Sequence, residues 1–311
     1  MIRVAAQAGA DYIKFQTFDP AELATPRIPK AKYQQKATGA RESQRKMLEK
    51  LCLSQEQFRL LQKECQRRGI GFLSTGFDPG SLRFIESLRP DFHKISSGDI
   101  DNVPLLRQAA RYKRPVILST GMATMDEIQR ALKILAKAGL PRRKMIILQC
   151  HTEYPTRPED SNLRVMDTFR RAFKVRAGLS DHTTGIVVSL AAAARGAFLI
   201  EKHFTLDRSL RGPDHRASLT PKEMAALVRG VREIGLCLGD GVKKPSLPER
   251  KNMARARRVL VAARHIRKGD KFSEKNMAPK RAGRGVPAGR WDDWLQKKAV
   301  RNYRPEQVIC E

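Results

Sequence analysis

Two histidines close short apolar runs of similar make, "GLSDHTTG" around His182 and "IEKHFTL" around His203, in a chain with only six histidines. A neutral imidazole is a good ligand for a divalent cation. Two imidazoles from neighbouring strand ends would leave positions open for water and substrate, as a Lewis acid needs and a structural ion does not. A single strand-end histidine reads more simply as a hydrogen-bonded core residue; a pair among other polar strand ends favours the ion. Lys14 and Lys94 interrupt otherwise apolar runs. Lysine is seldom buried without a partner, so two at the same end imply an anionic ligand between them. Thr75, Ser97, Ser119 and Ser180 add hydroxyls of the kind that hold phosphate oxygens, although each alone could be a cap or a turn. Gly98 in "SSGD" lets backbone approach a ligand closely. Asp99 beside it and Asp214 in "GPDH" could bind sugar hydroxyls or move protons, unless they are solvated loop carboxylates. As a set, these residues describe a small, strongly negative substrate.

Strands must carry these groups to one place. Seven apolar runs read as strands: "ADYIKFQ", "GIGFLST", "FHKIS", "RPVILS", "KMIILQC", "VRAGLS" and "AFLIEKHF". Amphipathic helices alternate with them. Ser54 with Gln57 and Thr124 with Glu127 make capping boxes, and Thr220-Pro221-x-Glu223 opens another helix with proline at its first position. Continuous apolar strands separated by helices imply a parallel sheet covered by helices. An open doubly wound sheet would spread the polar strand ends along an edge, whereas a (β/α)8 TIM barrel gathers them at one mouth. The barrel is therefore the expected α/β fold. Only seven strands are counted, and "IRVAAQAGA" reads as the end of a helix, so the first strand is expected to be missing. The barrel spans residues 1–240. Prolines and charges at 241–258 read as a linker, and 259–311 as a small β-rich domain.

The bulk numbers bound the function. At 311 residues and 41% hydrophobic content the chain can fill a substantial core. No apolar run reaches the roughly 20 residues that span a bilayer, and no secretory signal is visible. Five scattered cysteines without a CxxC pair argue for reduced thiols in a cytoplasm. The net charge of +29 raises nucleic-acid binding. The excess is spread along the chain, with 20 basic against 7 acidic residues after Val242, and only 6% of residues are aromatic. A solvated basic surface is the better reading than a nucleic-acid partner.

Taken in order, "IKFQT", "FLSTGFD", "KISSGD", "ILSTGM", "LQC…YPT", "GLSDHT", "EKHFT" and "GPDH" resemble the sialic acid (N-acylneuraminate) synthases over nearly the whole chain. The segment "HIRKGDKFSEKNMAPKR" is similar to that family's C-terminal antifreeze-protein-like (SAF) domain. The resemblance implies a metal-dependent transferase that condenses phosphoenolpyruvate with N-acetylmannosamine, releasing phosphate and forming N-acetylneuraminate. Mn2+ or Mg2+ would activate the sugar aldehyde. By the same resemblance, His182 and His203 are the metal ligands and, with Asp99, the catalytic set. Lys14, Thr75, Lys94, Ser97, Ser119 and Ser180 match phosphoenolpyruvate contacts. Gln16, Asp99, Tyr154 and Asp214 match sugar contacts. Arg281, in "PKRAG", matches an arginine inserted into the partner's barrel in a domain-swapped homodimer, which would lend the small tail the core it lacks.

Two departures stand out. The family's opening Glu-Ile-Gly-x-Asn-His-type strand, whose glutamate lies in the active site, has no counterpart here. That is the strand missing from the count, and an N-terminally shortened chain with little or no turnover is expected. "HTEYPT" puts His151 and Thr152 where the family usually has Thr-Ser. "LQC" and "PEDSNLRV" lean toward the animal-like branch, which uses N-acetylmannosamine 6-phosphate. Legionaminic, pseudaminic and spore-coat sugar synthases share the motifs. A basic nucleic-acid-binding protein on an inactive barrel is the alternative from a different class.

Overall fold

The computed structural model describes residues 1–39 and 41–311 and divides the chain into two units, Met1–Gly239 and Asp240–Glu311. In the first unit, seven parallel strands form one curled sheet in sequence order: β1 (Tyr12–Thr17), β2 (Gly71–Gly76), β3 (His93–Ile95), β4 (Val116–Ser119), β5 (Met145–Cys150), β6 (Arg176–Asp181) and β7 (Ile200–Lys202). Each matches one of the seven apolar runs, with β1, β2 and β6 reaching one residue beyond it. Among the described residues no ladder joins β7 to β1, so the barrel-type sheet is open there.

Helices precede and follow the strands. They are α1 (Ile2–Gln7), the short α2 (Pro20–Leu23), α3 (Lys32–Thr38) and α4 (Gln44–Glu49), then α5 (Gln55–Arg68), α6 (Pro79–Ser87), α7 (Val103–Arg111), α8 (Met125–Lys137), α9 (Val165–Phe173), α10 (Val187–Ala194) and α11 (Pro221–Cys237). The expected start signals operate. Ser54 and Thr124 cap α5 and α8 through their capping boxes, and the Glu223 carboxylate accepts from the Thr220 amide and hydroxyl at the start of α11. Each cap satisfies amides that the first helical turn leaves without partners.

Strand alternation sorts the side chains. The outward set packs against the helices: Ile95, Val116, Leu118 and Ile147 meet Leu105, Leu106, Ile128, Leu135 and Phe169 in the largest core cluster. The inward set makes a second, smaller cluster of Leu73, Ile117, Ile146 and Leu148. Further along the strands the inward positions turn polar: Lys14, Thr75, Lys94, Ser119 and Ser180. Apolar side chains thus plug the base, and polar ones line the carboxyl-terminal end where sites of this fold sit.

The second unit opens with α12 (Leu247–Ala256), capped by Ser246 and Glu249 and burying none of its residues. It lies inside the stretch that reads as linker. Strands β8 (Val259–Ala262) and β9 (Met277–Lys280) pair antiparallel. A short helix, α13 (Trp291–Trp294), follows. The tail does not lack a core of its own: Leu260, Ile266, Phe272, Met277, Trp294, Tyr303 and Ile309 are buried together within the single chain. Isolated bridges such as Ile266–Tyr303 and Lys271–Lys298 fold the segment back on itself. These pairings are long-range, so the run of short strands looks poorer in sequence than it is in space.

The β6–β7 contact depends on a glycine. A Cβ on Gly178 would lie 2.3 Å from the Leu199 carbonyl oxygen and 2.9 Å from the Leu148 side chain. Backbone cannot retreat as a flexible side chain can. Gly178→Ala is expected to destabilise the protein by about 1–3 kcal/mol, read as a lower urea midpoint; an unchanged midpoint would show that β7 is free to move aside.

Candidate active site

Strands β6 and β7 end one residue before the two histidines, in register, with Ser180 opposite Glu201 and Asp181 opposite Lys202. Alternation points Ser180, His182, Glu201 and His203 to the same inner face. The two imidazoles lie with ring centroids 5.2 Å apart at 83°. Tyr154 completes a cluster of three rings, 4.1 Å from His182 and 5.5 Å from His203.

His182 is turned by a short bond: its Nδ1 lies 2.5 Å from the His151 carbonyl. A carbonyl only accepts, so a neutral ring carries its proton on Nδ1 and its lone pair on Nε2, which lies 3.5 Å from Ser180 Oγ. Burial holds His182 below the usual histidine range and, with His182 and Lys14 close by, presses His203 down to about 3. Both rings are therefore neutral at pH 7, the form that binds a cation. Among the described residues no group of three His, Cys, Asp or Glu is placed to hold a metal. The residues present fit an ion held by two imidazoles, its other positions left to water and substrate.

Glu201 sits at the centre and was not singled out from the sequence. Its Oε1 lies 3.7 Å from Lys14 Nζ and its Oε2 3.8 Å from Lys94 Nζ, while Ser180 Oγ donates to Oε1 at 3.2 Å. Burial opposes its ionisation, but Lys14 and Lys94 outweigh it and bring the carboxyl down to about 2. Burial lowers Lys94, with Glu201 working the other way. Lys94 also donates to Ser119 Oγ at 2.7 Å. The sequence pointed to an anionic ligand between the two lysines; the anion that faces both in the structure is the protein's own Glu201 carboxylate. The signal available was alternation: a glutamate two residues before His203, in an apolar run, must face the same way as His203.

The remaining expected residues are placed less uniformly. Thr75 is buried and in register with Lys94, and Gln16 stands beside Thr75 on β1, exposed. Ser97 Oγ accepts from the Gly121 amide at 2.9 Å, where a Cβ on Gly121 would crowd both Ser97 and Thr152. Asp99 spends both oxygens inside its own turn, accepting from Ser96 Oγ at 2.6 Å and Asn102 Nδ2 at 3.1 Å; burial raises its carboxyl above the usual range. Asp214 stands 3.7 Å from His203 Nδ1 through Oδ2, and burial raises its carboxyl too. Its Oδ1 is buried with no hydrogen-bond partner, an acceptor suited to a ligand hydroxyl. Cys150, another residue the sequence reading passed over, lies 3.9 Å from His182 Nδ1, its thiol pushed up by burial. Arg281 is exposed, just after β9 in the second unit.

Two lysines and several hydroxyls thus lie beside two neutral imidazoles at one end of the sheet. The N,N'-diacetyllegionaminic acid synthase of Campylobacter jejuni is 43% identical over all of this chain and 93% of its own length. The enzyme of the same name from Legionella pneumophila is 40% identical over 92% of this chain and 81% of its own. The crystal structure of N-acetylneuraminic acid (sialic acid) synthetase from Leptospira borgpetersenii, in complex with citrate, superposes with a TM-score of 0.70 at 34% identity, covering 81% of this chain and 83% of that one. The SAF domain model matches residues 257–298 and the NeuB family model residues 1–243. This chain belongs to the NeuB family.

Proposed function

We propose that the protein condenses phosphoenolpyruvate with an N-acylated six-carbon sugar, forming a nine-carbon 2-keto acid and releasing phosphate. The observation that carries this is the pairing of Lys14 and Lys94 around ionised Glu201 with two neutral histidines on the adjoining strand ends. The sequence motifs put N-acetylmannosamine first as the acceptor. The relatives at 43% and 40% identity make a diacetylated product. Subtracting the three carbons of pyruvate from a nine-carbon acid leaves a six-carbon sugar with two acetamido groups, and that is the acceptor we favour.

On this reading Lys14 and Lys94 hold the carboxylate and phosphate of phosphoenolpyruvate, with Thr75, Ser97, Ser119 and Ser180 donating to the remaining oxygens. Lys94 orients Ser119 for this by its 2.7 Å bond. His182 and His203 hold a divalent ion, Mn2+ or Mg2+, which supplies Lewis-acid polarisation of the sugar aldehyde when bound. The bond from His182 Nδ1 to the His151 carbonyl keeps Nε2 turned to that task. The orphaned Oδ1 of Asp214 accepts from a sugar hydroxyl, and Gln16, Tyr154 and Asp99 line the same end. Arg281 reaches the sugar site of a partner subunit in a domain-swapped dimer.

The test is phosphate release from phosphoenolpyruvate with Mn2+ and, in turn, N-acetylmannosamine, its 6-phosphate and a diacetamido hexose. Release is expected to be slow, with the sheet open between β7 and β1, but to require metal and sugar together and to be fastest with the diacetamido sugar; release indifferent to the sugar would overturn the condensation. His182→Ala and His203→Ala should each remove turnover, by 100-fold or more on the order of a lost catalytic electrophile, with the circular dichroism spectrum and melting midpoint nearly unchanged. Turnover that survives a chelator would rule out the metal.

Removing residues 259–311 should cost both dimer stability and sugar affinity. Arg281→Ala should raise the sugar KM while leaving the dimer intact. A fully active monomer lacking the tail would end the swapped-dimer reading.

A further inference from the structure

The ladder between β6 and β7 stops at Asp181 and Lys202. Both histidines lie one residue past its end. Their carbonyls leave it for different partners: the His182 carbonyl accepts from the Thr156 amide, and the His203 carbonyl from the Leu219 amide. Rings that must share one ion therefore sit where the two strands diverge, and the last rung sets how far apart they begin.

Behind the site, on the face turned toward α10, Asp181 and Lys202 form an ion pair at 2.8 Å with side chains 1% and 2% exposed. Asp181 is saturated. Its Oδ1 accepts from the Thr183 amide and hydroxyl, both at 2.8 Å, and its Oδ2 also accepts from Ser189 Oγ of α10 at 2.5 Å. Lys202 donates in turn to the Thr183 carbonyl at 2.6 Å. The network thus holds the residues on both sides of His182, ties them to the residue before His203, and anchors the assembly to a helix.

Stability does not explain such a pair. Desolvating two charges offsets most of their attraction, and apolar replacements of similar volume are often as stable. What an ion pair with every lone pair used does provide is a single geometry. We propose that Asp181 and Lys202 are positioning residues which set the separation of His182 and His203, and hence the affinity of the site for its divalent ion. This rests on the metal-binding reading above.

The experiment uses Mn2+ alone as probe, with free ion counted by electron paramagnetic resonance and no substrate present. Asp181→Asn/Lys202→Met keeps an acceptor for Thr183 and the lysine's volume but removes the charge tie. It should fold, and it should bind Mn2+ about 10–100-fold more weakly, the range seen when outer partners of metal ligands are lost. Leu135→Ala, on the buried face of α8, serves as a control for general destabilisation. It should lower the melting midpoint at least as much and leave Mn2+ affinity unchanged. A folded double variant with parental Mn2+ affinity, or a control that weakens binding equally, overturns the positioning role and leaves the metal reading standing. If the parent binds no Mn2+, or binds it as well after His182→Ala, the metal reading itself falls, and the positioning role with it.

Discussion

A half-buried carboxylate between a buried and a half-buried lysine governs this barrel. Taking an ion out of water costs several kcal/mol even after relaxation, so none of the three could sit there alone. Glu201 stays ionised because Lys14 and Lys94 face its two oxygens, and burial lowers Lys94 against the pull of Glu201. Much of what surrounds them serves that balance. Ser180 and Ser119 fill hydrogen-bonding positions on the carboxylate and on Lys94. The apolar cluster of Leu73, Ile117, Ile146 and Leu148 shares the inner face of the same strands, so the charges sit in a low-dielectric wall, where their mutual attraction is strong.

The same alternation that turns Glu201 inward turns its neighbour Lys202 outward to Asp181. Two charge clusters of opposite facing thus occupy consecutive rungs of one ladder. One is open to ligand and partly exposed; the other is sealed under α10 and saturated. The histidines follow directly, so their placement inherits whatever rigidity the two rungs possess. A close-packed ladder transmits that rigidity well, and Gly178, which admits Leu199 to within contact of its own backbone, brings the strands near enough for it.

Much of this was legible in the residues. Seven continuous apolar runs separated by capped helices are local signals, and each became a strand in sequence order. Once a parallel curled sheet is granted, polar strand ends must share a mouth, which is why Lys14, Lys94, Ser119, Ser180, His182 and His203 were visible together. Glu201 was harder to see. Its meaning depends on facing Lys14 and Lys94 across four strands, and no local pattern encodes that partnership. Asp181 and Lys202 were passed over as flanks of the histidines, since an ion pair between residues 21 apart in sequence exists only through the register of two strands. Asp99 shows the converse: it sits in a short helical turn, but its carboxylate turns back onto Ser96 and Asn102. The tail's core likewise depends on bridges between distant short segments.

Charge balance then limits how ligands can enter. With His182 and His203 neutral, the triad of Lys14, Lys94 and Glu201 leaves the anion pocket with one net positive charge. A phosphate ester that also bears a carboxylate carries about −2.5 to −3 at neutral pH. Entering alone, it would leave the buried pocket with about −1.5 to −2, an expensive state in a low-dielectric setting. A divalent cation on the two imidazoles removes that excess almost completely. The cation entering alone meets the opposite penalty, adding two positive charges beside two lysines. On the proposed reading each ligand therefore relieves the other's electrostatic cost, and by linkage the gain in affinity is mutual. The coupling follows from Glu201 alone: a neutral residue there would leave two uncompensated lysines, the anion could bind without the metal, and the site would lose its reason to wait for both.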